Sequence, residues 1–193
     1  MLSIIAGFLI GMGGIVNLTL GGPLGAIFFA LGLMTIVSFK YDLFTGKAGL
    51  LITNEITLLE LCRIWIGNLI GAMACAAMML LVPSSSAIIE RAQEIVMLRH
   101  GQSALTNLIL GVFCGVLMYI AVAGFKTYQS YLFIFVPVAF FILCGFNHCV
   151  ADMFYLSLGA TELEHWGSLI STTIGNVIGT NLLPALGLCH RTS

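Results

Sequence analysis

Residues 145–152 read GFNHCVAD and interrupt an otherwise apolar segment at about 128–158, which is too long for one plain helix. A second interruption, KYDLFTGK at residues 40–47, lies in the apolar segment at about 24–52. Charge and irregular backbone are costly at such depth in a bilayer, and they persist only when buried in protein or lining a wet cavity. The two stretches therefore predict two broken helices that meet around a pathway through the membrane.

The composition is that of an integral membrane protein. Of the 193 residues, 60% are hydrophobic and 8% are charged, whereas a soluble domain carries about 25% charged residues. A spanning helix needs about 20 apolar residues, which leaves room for six or seven spans and for no soluble domain. We expect one transmembrane domain over residues 1–193, in contact with the lipid bilayer. With only seven Lys and Arg residues, a nucleic-acid partner is implausible.

Apolar segments divide the chain into two halves of similar organisation. The polar connection between the halves, residues 83–103, predicts a short amphipathic helix on the surface. Three spans in each half would make the halves run in opposite directions through the membrane, an inverted repeat whose broken helices mark the site near the midplane. The segments lie at about residues 3–20, 24–52, 59–82, 104–123, 128–158 and 167–188.

A short motif supports the repeat, since GNLIG at residues 67–71 corresponds to GNVIG at residues 175–179. Each copy lies in the segment that follows a broken helix. A chance match of five residues is the alternative, but the matching positions of the breaks favour a true repeat. Small residues at this spacing allow close helix packing. We expect that role for the motif residues Gly67, Asn68, Gly71, Gly175, Asn176 and Gly179.

The interruptions also carry a family resemblance. Residues 42–46 (DLFTG) resemble the ELFTGN loop of the formate/nitrite transporter family. Residues 137–141 (PVAFF) and 145–154 (GFNHCVADMF) resemble its PVAMF and GFEHSVANMF motifs, while residues 63–71 and 174–179 resemble its third and sixth helices.

That resemblance implies an all-α, aquaporin-like membrane fold of six transmembrane helices in two inverted three-helix repeats, with two broken helices. It implies one pore per protomer and a homopentamer in the cytoplasmic (inner) membrane, with both termini in the cytoplasm. Members of the family pass small monovalent solutes such as formate, nitrite or hydrosulfide. A channel of this kind uses no cofactor and no metal.

By the same resemblance, His148 is the central histidine of the pore and Thr45 is the matching hydroxyl of the first interruption. An imidazole there can donate a hydrogen bond or exchange a proton with a weak acid or base. A lone histidine on an apolar face is usually structural, but in a break that faces a second break we interpret it as functional. The family's apolar constrictions, which could equally be core, correspond to Phe29, Leu33, Leu43 and Phe141.

Several positions depart from the family pattern. The glutamate beside the histidine is Asn147 here, and the lysine that ends the fourth helix corresponds to Ser130, with Lys126 one turn earlier. Lys47 and Asp152 replace the asparagines that close the two interruptions. We expect these opposite charges to form a buried ion pair, since either one alone would be costly. The alternative is that Asp152 attracts a cation.

The sign of the substrate's charge is open at this level. Together with the missing pore-mouth lysine and a possible Asp152 site, an acidic outer face favours ammonium or ammonia as the substrate. The alternative is formate, nitrite or hydrosulfide, in the field of Lys47 or Lys126. The chain shows no nucleophile–base set, zinc spacing or phosphate loop, so we do not expect an enzyme. The charged residues expected on the outer side are Glu90, Glu94, Arg91, Arg99, Glu162 and Glu164.

Overall fold

The computed structural model describes residues 1–187, and all regular secondary structure in that range is helical. Residue 188, the end of the sixth predicted segment, lies outside the described range. A short 3₁₀ helix, Leu163–Trp166, precedes the last α-helix. The α-helices are α1 (Leu2–Leu20), α2 (Gly22–Ser38), α3 (Phe44–Ala48), α4 (Leu58–Leu80), α5 (Ser86–Gly101), α6 (Ala104–Tyr128), α7 (Leu132–Leu143), α8 (Cys149–Gly159) and α9 (Gly167–Ala185).

The two interrupted segments are broken helices, which confirms the prediction. The first is divided into α2 and the short α3, and the second into α7 and α8. Three helices, α1, α4 and α6, are by length and composition able to cross a membrane, while α2, α7 and α8 are shorter apolar helices. The six-span count therefore stays a prediction. Helix α8 lies at the centre of the molecule, with ten of its eleven residues buried.

The two breaks have the same backbone geometry. The backbone at Lys40 has φ +58° and that at Gly145 has φ +69°, which is the left-handed region that usually favours glycine. In each break the next residue, Tyr41 or Phe146, donates its N–H to the carbonyl five residues earlier, at 2.9 Å. This shared turn ends both helices in the same way and supports the predicted repeat.

An asparagine holds each break in place. The Asn68 side chain accepts a hydrogen bond from the N–H of Phe44 at 2.8 Å and donates one to the carbonyl of Asp42 at 3.0 Å. Asn176 makes the same two bonds, at 2.8 Å each, to the residues on either side of His148. Both asparagines are fully buried. The side chains thus satisfy backbone groups that the breaks leave without helical partners, as buried backbone requires.

The motif glycines lie where helices touch. A β-carbon at Gly71 would collide with the carbonyl oxygen of Ile4 in α1, and one at Gly67 would collide with the Ser3 side chain. In the second half the corresponding glycines of α9, Gly175 and Gly179, lie against the backbone of α6 in the same manner. Without side chains at these positions the backbones approach closely, as the small-residue spacing predicts for membrane helices.

The polar connection forms α5, but only part of this helix faces outward. Its Ala92 and Val96 are buried, and a β-carbon on Gly159 of α8 would lie 2.8 Å from the backbone carbon of Ala92. The prediction of a helix is confirmed, whereas its placement on the surface is only half correct. Close packing against α8 buries one face of α5, and in its last turn Arg99 is the partly buried residue, while Leu98, His100 and Gly101 are exposed.

Candidate functional site

His148 and Thr45 meet at the centre of the molecule. The hydroxyl oxygen of Thr45 lies 2.9 Å from Nε2 of His148, and the two residues are 1% and 2% exposed. His148 also caps the N-terminus of α8, since its Nδ1 accepts a hydrogen bond from the N–H of Ala151 at 3.1 Å. A ring nitrogen that accepts carries no hydrogen, so the hydrogen of the neutral ring is on Nε2 and is donated to Thr45.

This arrangement fixes the direction of hydrogen bonding at the site. The Thr45 hydroxyl oxygen accepts a hydrogen bond from the imidazole, so its own O–H can donate a hydrogen bond to a further acceptor. The lone pair at Nδ1 is already used by Ala151. The dyad therefore presents a hydrogen-bond donor, rather than a free base, to anything that reaches it.

The predicted constriction residues surround this dyad in two groups. The rings of Phe29 and Phe141 meet edge to face with centroids 6.1 Å apart, and Phe141 stacks on the His148 ring at 5.6 Å. Leu33 and Leu43 form the other group and are 1% and 2% exposed. The structure thus places all four predicted residues in the interior, with the two aromatic rings in direct contact with each other.

A large cavity opens on the leucine side of the dyad. It has a volume of about 510 Å³, and Leu33 and Leu43 contribute to its wall. Three of its lining residues are Lys40, Lys47 and Lys126, so we call it the lysine cavity. Lys126, which the sequence offered as a substitute for the missing lysine, therefore does face this space.

A smaller cavity lies on the aromatic side. It has a volume of about 140 Å³ and is lined by Phe29, Phe141 and His148 together with two polar residues of the α5 region, Arg99 and Gln102. We call it the arginine cavity. The aromatic pair, His148 and the two leucines thus lie between two cavities that each contain cationic side chains, as expected for a pore with a central constriction.

A side cavity of about 140 Å³ lies next to the lysine cavity and has Thr45 in its wall. It shares Gly46, Val122 and Lys126 with the lysine cavity and also contacts Thr45. Glu55, which is exposed and accepts a hydrogen bond from the Thr53 hydroxyl at 2.8 Å, lies at its edge. Thr45 therefore lines a cavity that is adjacent to the lysine cavity.

The predicted ion pair between Lys47 and Asp152 is wrong. Lys47 Nζ lies 3.2 Å from the carboxylate of Asp42, whereas Asp152 is paired with Arg99, whose Nε lies 2.9 Å from Oδ1. The lysine side chain is 39% exposed in the lysine cavity, while the Asp152 side chain is 1% exposed. The fold of α5 onto α8 supplies a closer cation, so the buried carboxylate is compensated from outside the two repeats.

Asn147 lies beside the pore rather than on it. Its side chain donates to Oδ1 of Asn107 in α6 at 2.8 Å, and it is fully buried. Neither Asn147 nor Asp152 contributes to the wall of the lysine cavity or of the arginine cavity. Of the five predicted pore residues, the structure thus brings His148 and Thr45 together and leaves Lys47 on the wall of the lysine cavity.

Sequence reasoning missed Arg99 and Gln102 as site residues, since Arg99 was expected on the outer face. The side chain of Arg99 is in fact 13% exposed and lines the arginine cavity. A signal was present in the chain, because the apolar residues Ala92 and Val96 are four apart on α5 and mark a buried face. Arg99 follows within one further turn.

Comparisons with known proteins agree with this geometry. The sequence profile of the family described as "Formate/nitrite transporter" matches residues 1–189. The Formate channel FocA of Haemophilus influenzae is 27% identical over 200 residues, which cover 80% of this chain and 69% of that protein. The FocA protein of Escherichia coli K12 is 24% identical over 202 residues, covering 84% and 71%.

Two solved structures share the fold. One is a pentameric formate channel with formate bound, with a TM-score of 0.80 at 23% identity, covering 97% of this chain and 93% of that one. The other is an FNT family ion channel, with a TM-score of 0.81 at 24% identity, covering 99% and 88%.

Proposed function

The chain belongs to the formate/nitrite transporter family, and from that premise we propose that it is a membrane channel for small monovalent anions of weak acids. Formate and nitrite are the candidate substrates, as in the names of the family and of the FocA relatives. The solute would pass through a pore within one protomer, around His148.

The charge on the cavity walls is the observation that carries the choice of an anion. Within the described part of the chain, the walls of the lysine and arginine cavities hold three lysines and one arginine, and no aspartate or glutamate. Asp42 and Asp152 compensate Lys47 and Arg99 from behind these walls, so the positive field of the lysine cavity comes mainly from Lys40 and Lys126. Positive walls of low dielectric focus a field that concentrates anions and repels ammonium. A carboxylate or nitrite oxygen then finds a donor in the Thr45 hydroxyl.

Two of the sequence features that favoured ammonium are Asp152 and the acidic outer face, and neither places a carboxylate on the walls of the lysine or arginine cavity. Asp152 is compensated by Arg99 and does not face either cavity. The acidic side chains on α5 and the 3₁₀ helix are exposed, where salt screens a charge within about 8 Å. The alternative in the sequence analysis, an anion channel, is therefore the function we adopt. The acidic side chains are Glu90, Glu94, Glu162 and Glu164.

The constriction defines how the proposed channel selects its solute. An anion gathered in the lysine cavity would have to shed water to pass Leu33 and Leu43, and a small monovalent ion loses less hydration energy than a divalent one. Its oxygen would replace the lost water by accepting from Thr45, which His148 orients through Nε2. On the other side, the wall of the arginine cavity is formed by Phe29, Phe141 and His148 itself.

We further propose that five such protomers assemble in the cytoplasmic membrane, each with its own pore and both termini in the cytoplasm. The support is that both chambers and the constriction are built from residues of a single chain. The solved pentameric formate channel offers the pattern for the assembly.

Electrical recording on a solid-supported membrane tests the substrate directly. Purified protein in liposomes is exposed to concentration jumps of sodium formate, sodium nitrite and ammonium chloride, with protein-free liposomes and sodium sulfate as controls. We expect anion currents with formate and nitrite and none with sulfate or ammonium. A positive current with ammonium, together with silence toward formate and nitrite, would reject the anion channel.

A further inference from the structure

Several buried polar atoms near the arginine cavity have no hydrogen-bond partner among the described residues. They include Nε of Arg99, Oε1 of Gln102 and both carboxylate oxygens of Asp152. Although Arg99 Nε lies 2.9 Å from Asp152, the two atoms do not form a hydrogen bond, so the contact is an electrostatic one. Buried polar groups are normally satisfied. Of these residues only Arg99 and Gln102 line the cavity, and of the open atoms named here only the Arg99 N–H is a donor that an anion can use.

We propose that the arginine cavity is a second anion-binding site, centred on Arg99 rather than on the Thr45 hydroxyl. Arg99 binds a monovalent oxyanion there, and the Asp152 carboxylate behind it lowers the affinity. The proposal rests on the proposed function, because the anion is the same solute that the channel conducts.

The residues of the cavity suit a small planar oxyanion. A guanidinium presents several N–H donors in one plane and matches the two oxygens of a carboxylate or nitrite. Gln102 and Tyr155 add polar side chains on the same wall, and Phe29 and Phe141 close the cavity on the side of His148. The volume of about 140 Å³ holds a three-heavy-atom anion with a few waters and excludes large metabolites.

Asp152 explains how such a site can belong to a conducting pore. An unpaired, largely buried guanidinium would hold an anion strongly, whereas conduction requires that the ion leave again. The carboxylate at 2.9 Å cancels most of the charge at short range. Pairing with Asp152 therefore lowers the affinity of Arg99 for the anion, so that the anion can dissociate again.

The competing explanation is that the pair only fastens α5 to α8. It predicts that changes at Arg99 alter stability and leave anion binding as it was. Arg99→Gln alone cannot separate the two, because it would leave the Asp152 carboxylate buried without a counter-ion and reduce the yield of folded protein.

The test therefore uses Asp152→Asn, which strengthens the site, and Arg99→Gln/Asp152→Asn, which removes both charges and leaves neutral amides. Arg91→Gln is the matched control, because it removes one positive charge from the same helix, where Arg91 donates to the carbonyls of Leu18 and Thr19. For each variant, formate currents are recorded over a concentration series. Thermal unfolding is measured with sodium formate and with sodium sulfate at equal ionic strength.

We expect Asp152→Asn to lower the half-saturating formate concentration about tenfold. A tenfold change in affinity corresponds to the free energy of about one charge-assisted hydrogen bond. The maximal current of this variant should fall, and formate should raise its melting temperature more than that of the wild type. The double variant should have a half-saturating concentration above that of the wild type, and Arg91→Gln should match the wild type.

The outcomes separate the two proposals. If the wild type conducts formate while all variants share its half-saturating concentration and formate-dependent melting shift, the pair is structural and the second site is rejected. If the wild type itself neither conducts formate or nitrite nor is stabilised by them, the anion channel is rejected first. Strengthening in Asp152→Asn and weakening in the double variant support the site.

Discussion

The Asp152 carboxylate is 1% exposed, and a charge buried to this degree without a partner costs several kcal/mol. Arg99 meets that requirement from α5, whereas Lys47 is held by Asp42 in the lysine cavity. At the scale of the residue, therefore, the charge of Asp152, which departs from the family pattern, is compensated by Arg99. It does not serve as a cation site, because it faces neither chamber.

A double-mutant cycle tests this pairing. We expect Arg99→Gln to destabilise the protein by about 3–5 kcal/mol, because a buried carboxylate loses its counter-ion. Asp152→Asn should cost less, since Arg99 borders the cavity and can be solvated from it. The double variant should recover much of the loss. Unfolding in a detergent and denaturant series, followed by tryptophan fluorescence, gives the free energies.

Lys47→Asn provides the control for that cycle. Its side chain is 39% exposed and paired with Asp42, so its effect should be below about 1 kcal/mol and should add to that of Asp152→Asn without coupling. The opposite result would contradict this pairing. If Lys47→Asn recovers the stability that Asp152→Asn loses and Arg99→Gln does not, Asp152 is paired with Lys47, as the sequence suggested.

At the scale of the element, the two breaks have the same turn conformation but different residues at its left-handed position. The left-handed position is glycine in the second break, Gly145, but lysine in the first, Lys40. A side chain in this conformation costs about 1–2 kcal/mol. Since Lys40 also lines the lysine cavity, the strain is retained where a positive charge serves the proposed anion pathway.

Lys40→Gly should therefore separate stability from conduction. We expect the free energy of unfolding to rise by about 1 kcal/mol as the strain is relieved, while the half-saturating formate concentration rises several-fold because one cavity charge is lost. Unfolding titrations and the current series measure the two effects.

Gln129→Gly is the matched control for the strained lysine. Gln129 has φ +50°, ends α6 and lines the same cavity without a charge. It should gain stability to a similar extent and leave the formate dependence as in the wild type. If Lys40→Gly also leaves the formate dependence unchanged, Lys40 has no part in gathering the anion.

At the scale of the whole molecule, the two halves are built alike and the site lies between them. Thr45 comes from the first broken helix and His148 from the second, while Asn68 and Asn176 hold the respective breaks. The outer faces carry many exposed apolar side chains, among them Leu24 and Ile70. Such surfaces require lipid or a neighbouring protomer as their surroundings.

The proposed pentamer predicts a particle of five times the 20.7 kDa chain mass in mild detergent. Native mass spectrometry measures this mass directly. Because each pore is contained in one chain, mixing wild-type chains with conduction-deficient His148→Leu chains should reduce the current in proportion to the fraction of variant. A steeper, dominant loss would place the pathway between protomers, and a monomer as the sole conducting form would reject the assembly.

Part of this protein could be predicted from its sequence because the physical cause is local. A bilayer tolerates Lys40, Asp42, His148 and the irregular backbone around them only at a protein-lined site, so the two breaks were identifiable in the chain, while the match of Thr45 to His148 was implied by the family resemblance. The packing role of the motif glycines was likewise readable, since close helix packing requires small residues. The bonds of Asn68 and Asn176 to the breaks were not predicted.

Only the tertiary structure decided which charges meet. Whether Asp152 contacts Lys47 or Arg99 depends on how α5 packs on α8, and whether Asn147 faces the pore depends on the position of Asn107 in α6. Electrostatic energy falls with distance and rises with burial, and the order of residues along the chain specifies neither quantity. The sequence by itself thus determined a membrane protein with two broken helices and a predicted pore around His148, whereas the folded chain determined which charges line the cavities beside it.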